Sequence, residues 1–220
     1  MLAMLWCNGE TPSDRVIAGL VEGKTVFGVD GGADKAAESG YEVAEALGDL
    51  DSISQSWGGK TTELPDQSSS DLAKALNLLA QRGFQEIDVV GCDGGSSSHQ
   101  LGNWAALCEA LAGPTIRLHH EDSVTHRIHS EERELLIGEG TQFSVFALTP
   151  CNTVRIEGAQ WELHDSMMSL STKGLHNVSQ SHSVRIAADG ILAVMVDSCL
   201  LYTSDAADEG LGVDLGGRRI

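Results

Sequence analysis

Two hydrophobic rhythms alternate through the first half of the chain. Short apolar or β-branched runs at 2–7, 25–30 and 86–91 each end in turn residues, among them Asn8-Gly9, Gly31-Gly32 and Gly94-Gly95. Such runs predict strands. A briefer run at 45–48 leads into Asp49-Leu50-Asp51-Ser52. Between the runs, residues 15–22, 33–39, 70–82 and 100–112 carry helical patterns. The clearest helix is 70–82, where Leu72, Leu76, Leu79 and Ala80 form a stripe. Ser69 or Ser70 can cap it, Asp71 falls in its first turn and Gly83 stops it.

Beyond about position 121 the helical rhythm disappears. Runs at 124–129, 134–137, 142–148, 154–157, 184–187 and 191–196 are separated by turn residues, the spacing of a small sandwich or barrel. The expected fold class is α/β: an N-terminal, mainly parallel α/β domain over 1–125, then a small all-β sandwich domain over 126–198. Ligands of a parallel sheet bind beyond the carboxyl ends of its strands. The Asp30, Asp49 and Gly94 loops all follow predicted strands and should gather on one edge. Residues 199–220 resemble the conceptual translation of a sequencing adapter and are expected to lie outside the fold.

Charge narrows the function classes. With 32 acidic and 14 basic residues the formal net charge is -18, which disfavours nucleic acid and acidic membrane surfaces as partners. ATP remains compatible if divalent cations neutralise both sides. The five cysteines form no CxxC pair, so zinc and dithiol motifs lack support and reduced thiols in a cytoplasmic protein are expected. No run reaches the roughly 18–20 apolar residues of a membrane helix.

Candidate chemistry centres on carboxylates. Asp49 and Asp51 flank Leu50, so in an extended loop both can face one hard cation, with Asp71 as a third ligand. Alone, such a pair is as compatible with a solvated loop. Asp71 and Lys74 share a helix face. They read either as a surface ion pair, contributing under about 1 kcal/mol, or as a metal ligand beside a phosphate-contacting ammonium. The loop from Gly94 to His99 precedes a helix and can offer backbone N–H groups to phosphate.

Taken in order, these motifs resemble those of the thiamine pyrophosphokinases. Asp30-Gly31-Gly32-Ala33, Gly48-Asp49-Leu50-Asp51-Ser52, and the segment from Asp66 and Gln67 to Leu76 follow the family's first three motifs. Gly94-Gly95 with His99, Leu101 and Asn103 resembles its G-G-R-x-D-H-x-L-x-N. Near the end, Gly158, Trp161 and Leu163 resemble G-x-x-W-x-L, and Ser171-Thr172-Lys173-Gly174-Leu175-His176-Asn177 resembles S-T-x-G-[LI]-S-N. The resemblance covers roughly 2–197.

It implies transfer of a diphosphate from Mg-ATP to the hydroxyl of thiamine by a cytoplasmic homodimer. Asp49, Asp51 and Asp71 would hold Mg2+, with Asp30, Asp71 and Lys74 in catalysis. Gln67, Gly94, Gly95 and His99 would border ATP. Ser171, Asn177 and Trp161 would contact thiamine across the dimer interface. Three departures stand out: Ser96 and Ser98 replace the family's Arg and Asp, and His176 replaces a Ser. A missing Arg removes a planar fork for phosphate. The alternative reading is therefore a catalytically weakened thiamine or nucleotide binder.

Overall fold

A computed structural model of the chain describes residues 1–197; the expected adapter-like tail lies outside them. Two sheets carry the fold. Strands β1 (Leu2–Trp6), β2 (Thr25–Val29), β3 (Val43–Gly48), β4 (Thr61–Glu63), β5 (Glu86–Val90) and β6 (Thr115–His119) run parallel in the order β6-β5-β1-β2-β3-β4. Helices α1 (Asp14–Val21), α2 (Gly32–Glu38), α3 (Asp71–Gln81) and α4 (Ser97–Glu109) connect them.

The second half follows as β7 (Ser123–His129), β8 (Glu132–Leu136), β9 (Gln142–Ala147), β10 (Cys151–Glu157), β11 (Leu163–Met168), β12 (Asn177–Val178), β13 (Ser183–Ala188) and β14 (Ile191–Asp197). Strands β8, β13, β10 and β11 make a separate antiparallel sheet. The others extend the parallel sheet, giving one ladder of ten strands ordered β12-β9-β14-β7-β6-β5-β1-β2-β3-β4. Hydrogen bonding does not break at the expected boundary near 125. It only changes direction, because β7 pairs antiparallel to β6.

Burial follows this layering. Leu72, Ala75, Leu76 and Leu79 of α3 pack with Ala106 and Leu107 of α4 against Leu5, Phe27, Ile87 and Val89. The opposite face collects Met4, Trp6, Ile17, Val26, Ala36 and Val90. A third cluster, with Phe143, Val145, Val154, Ile186 and Val194, fills the space between the second sheet and the extended ladder.

Local signals set most element ends. Ser70 caps α3 by accepting the Ala73 N–H at 3.3 Å. Helix α4 starts three residues before the expected 100 because Ser96 is its cap, accepting the His99 N–H at 3.3 Å. Strand β6 escapes an apolar reading because polar side chains interrupt it. Its Arg117 and His119 turn inward to fully buried Asp88, with Arg117 Nε and His119 Nε2 each 2.6 Å from Asp88 Oδ1. Lys24 Nζ adds a contact to Asp88 Oδ2 at 2.7 Å. Burial raises the Asp88 carboxyl, but these partners outweigh it and hold the group far below the usual carboxylate range.

Candidate active site

Strands β2 and β3 are parallel neighbours, so the loops after Val29 and Gly48 emerge side by side. Both loops turn sharply: Asp30 has φ 46° and Leu50 has φ 64°. The turns are tied together, since the Leu50 N–H donates to Asp30 Oδ1 at 2.9 Å. Gly48 is required between them. A Cβ there would stand 2.0 Å from Asp30 Oδ1, and its φ is 149°.

Three carboxylates meet here. Oxygens of Asp30, Asp49 and Asp51 lie within 4.8 Å of one another. Asp30 is buried, Asp49 half-buried and Asp51 exposed, which gives the cluster a floor and an open side. Burial pushes the Asp30 carboxyl up from 3.8 to about 6; the Leu50 N–H opposes this, and the charges of Asp71, Asp49 and Asp51 reinforce it. By contrast, hydrogen bonds from Gln67 and the Asp51 N–H hold Asp49 below its usual range. The donor set is oxygen only, and three carboxylates crowd their negative charge into one place. Both properties fit a hard divalent ion such as Mg2+.

The sequence expected Asp71, with Asp49 and Asp51, to complete this set. Among the described residues the carboxylate that converges with Asp49 and Asp51 is Asp30. Asp71 opens α3 and turns its Oδ1 to the Asp49 N–H at 3.2 Å and to Lys74 Nζ at 2.7 Å. Lys74 is not a surface ion pair either, for its side chain is only 10% exposed. Its ammonium donates to the carbonyls of Leu64 at 2.6 Å and Asp66 at 2.9 Å. Gln67, next along that segment, donates to Asp49 Oδ2 at 3.2 Å. Asp71 and Lys74 thus fasten the 64–67 segment and the Asp49 loop to one helix end.

The expected phosphate loop lies beyond β5. Gly94 and Gly95 have φ 73° and 71°, and α4 begins two residues later. A Cβ on Gly94 would meet Glu10 Cγ at 2.6 Å. Ser96 Oγ caps α4 and lies 2.9 Å from His99 Nδ1 and 2.8 Å from Ser98 Oγ. Where the family pattern has an Arg, this chain spends a hydroxyl on starting the helix.

The remaining site residues gather elsewhere. Trp161, Asn177, Met167, Met168 and Leu175 line a cavity of about 520 Å3. The buried Asn177 clasps the backbone of Trp161, accepting its N–H at 3.1 Å and donating to its carbonyl at 2.8 Å. Trp161 is 57% exposed, and Met167 and Leu170 are more so. Ser171 precedes the 3-10 turn Thr172–Gly174 beside this cavity. His176 has φ 57° and donates its N–H to Ser144 Oγ at 3.1 Å. Strand β12, which carries Asn177, is eight strand spacings from β3, on the order of 40 Å along the sheet at about 4.8 Å each. The structure brings the carboxylates together and leaves the Trp161 cavity at the far end.

Comparison with known proteins gives this geometry a context. Residues 20–118 match the family model for the thiamin pyrophosphokinase catalytic domain. No curated protein sequence matches the chain. In solved structures the fold is similar to thiamine pyrophosphokinase from Bacillus subtilis, with a TM-score of 0.76, 19% identity and coverage of 91% of this chain and 100% of that one. The protein from Geobacillus thermodenitrificans gives a TM-score of 0.75 at 18% identity, covering 90% and 98%. That from Candida albicans gives 0.70 at 14%, covering 89% of each chain.

Proposed function

We propose that this chain, whose residues 20–118 match the thiamin pyrophosphokinase catalytic-domain model, transfers a diphosphate from ATP to the hydroxyl of thiamine. The observation that carries this reading is the convergence of Asp30, Asp49 and Asp51 at the carboxyl ends of two parallel strands. In the reaction, the thiamine hydroxyl oxygen bonds to the β-phosphorus of ATP and the bond to the α-phosphate oxygen breaks, releasing AMP.

Bound Mg2+ would neutralise phosphate charge in the transition state. The chain's own side chains do the positioning. Asp30, Asp49 and Asp51 would hold the ion. Asp71 and Lys74 keep the Asp49 loop and the Gln67 segment in place, and Gln67 fixes the orientation of Asp49. The Gly94 and Gly95 backbone and the start of α4 would receive phosphate, with His99 at the rim. Trp161, Asn177 and Ser171 would receive thiamine.

Because those residues sit at the far end of the sheet from the carboxylates, the reading requires two copies. The Trp161 groove of one chain would face the Asp49 loop of the other, and exposed Met167 and Leu170 supply an apolar surface for that contact. Four free cysteines among the described residues favour the cytoplasm as the site of reaction, and no described helix is long and apolar enough to cross a membrane. A second reading, a weakened binder, is favoured by Ser96, whose hydroxyl is committed to capping α4. One assay separates them: the chain with thiamine, ATP and Mg2+, followed for AMP and thiamine diphosphate. Equal amounts of both products support the enzyme; thiamine binding without AMP supports the binder.

A further inference from the structure

Two thiols that the proposed reaction leaves unused lie together under the Gly94 loop. Cys7 follows β1 and Cys92 follows β5, and these strands are parallel neighbours. Their sulfurs are 3.9 Å apart, and both residues are buried. Backbone bonds fix the two strand ends: the Cys7 N–H donates to the Val90 carbonyl and the Gly9 N–H to the Gly91 carbonyl, each at 2.8 Å.

Strand alternation alone would separate the thiols. Side chains of a strand point to opposite faces in turn, so Cys92 should follow Val90 to the face packed by α1 and α2. Gly91 reverses this. Its φ of 73° turns the chain, and a Cβ there would stand 2.4 Å from the Cys7 carbonyl oxygen. Cys92 consequently joins Ile87, Val89 and Cys7 in the core beneath α3 and α4.

We propose that Cys7 and Cys92 form a modification site, at which hydrogen peroxide converts the two thiols into an intrachain disulfide. One sulfur, as its thiolate, attacks the peroxide O–O bond and becomes a sulfenic acid; the displaced hydroxide takes up a proton and leaves as water. The second sulfur then attacks the sulfenic sulfur, forming the S–S bond and breaking the S–O bond, and a second water departs. Two electrons pass from the sulfurs to the peroxide. The hydrogen bond to Cys7, burial and the nearby Asp93 push the Cys92 thiol well above its usual range, so little of it is thiolate and the step is slow; burial of both sulfurs admits only a small oxidant.

Bond formation draws the sulfurs from 3.9 Å to about 2.05 Å. Cys92 also ties this turn to α4, its carbonyl accepting from Asn103 Nδ2 at 2.8 Å. Glu10 and Asp93 are bridged across the same gap. The oxidised chain should therefore lose nucleotide-dependent activity and regain it with dithiothreitol; this consequence alone rests on the proposed function.

The test treats the full chain, in a Cys199→Ser background, with hydrogen peroxide, then alkylates, digests and maps the thiols. A linked Cys7–Cys92 peptide that dithiothreitol dissolves, with Cys108 and Cys151 still alkylated, is the expected result. In Cys7→Ala or Cys92→Ala chains the partner sulfur should stop at the sulfenic acid and be trapped by dimedone. Recovery of Cys7 and Cys92 as separate alkylated peptides after oxidation overturns the proposal, as does irreversible oxidation of either one alone. The mapped bond decides the matter whatever the AMP assay reads.

Discussion

Asp71 accepts the backbone N–H of Asp49 at 3.2 Å. Through this contact the first turn of α3 positions a loop that belongs to β3. The same carboxylate oxygen neutralises Lys74, which in turn holds the carbonyls of Leu64 and Asp66. A helix start thus orients the loop presenting Asp49 and Asp51.

Removing one cluster carboxylate should separate metal binding from folding. Mg2+ is expected to raise the thermal midpoint of the parent chain, because an ion that binds only the folded state stabilises it. Asp51→Ala, altering an exposed position, should keep its circular dichroism, lose the Mg2+ shift and lose AMP production by orders of magnitude. A Mg2+ shift of parental size in Asp51→Ala would remove that residue from the ion site.

Lys74→Met tests the fastening role. The substitution leaves the Leu64 and Asp66 carbonyls and Asp71 without their cation, and unpaired groups of this kind cost about 1–3 kcal/mol. Urea denaturation should show a loss of that size. Lys74→Met should also weaken Mg2+ binding, although Lys74 would not itself touch the ion. Unchanged stability would show that the ammonium contacts contribute nothing net.

Acid should expose a second anchor of the same strand. Glu45, buried on β3, is bound by both terminal nitrogens of Arg82, by Lys60 and by the Thr62 hydroxyl. Burial raises its carboxyl, but hydrogen bonds from Arg82, Thr62 and Lys60 bring it down from 4.5 to about 2. A depressed acid contributes stability above its unfolded value, and that contribution is lost as pH falls through the folded one. Stability from this site should therefore be complete above about pH 4.5 and fade toward pH 2. Denaturant midpoints of Glu45→Gln, measured across that window, should be lower near neutrality and show a shallower acid dependence than the parent.

Mixing inactive chains tests the two-copy site. Asp51→Ala lacks the ion side and Trp161→Ala the thiamine side. If each site draws on both copies, a mixed dimer contains one intact site, and an equimolar mixture should recover up to about a quarter of parental activity. Rate assays before and after joint refolding give the answer. No recovery, with mixed dimers demonstrated by mass, would place both residues in the same chain's site.

Much of the carboxylate edge was legible because aspartates followed short apolar runs, and strand ends of a parallel sheet converge. The convergence of Asp30 with Asp49 and Asp51 was not. It depends on left-handed turns at Asp30 and Leu50, which spacing does not reveal in residues other than glycine. Strand β6 was hidden for a different reason. Arg117 and His119 look like surface residues in sequence, and only the buried charge of Asp88, twenty-nine positions before Arg117, explains their inward direction. Strand β11 was missed because half of its Leu163–Met168 stretch is exposed and it carries polar residues. The pairing of Cys7 with Cys92 required the turn at Gly91, which overrides strand parity.

The unbroken ten-strand ladder has a consequence for dissecting this protein. Strand β7 bonds to β6 on one side and β14 on the other, so a fragment ended near 125 would cut through it and bare an unprotected sheet margin. Open margins recruit other chains. The α/β half expressed by itself should therefore clump into insoluble material, and deletion work on this molecule must keep the final strand.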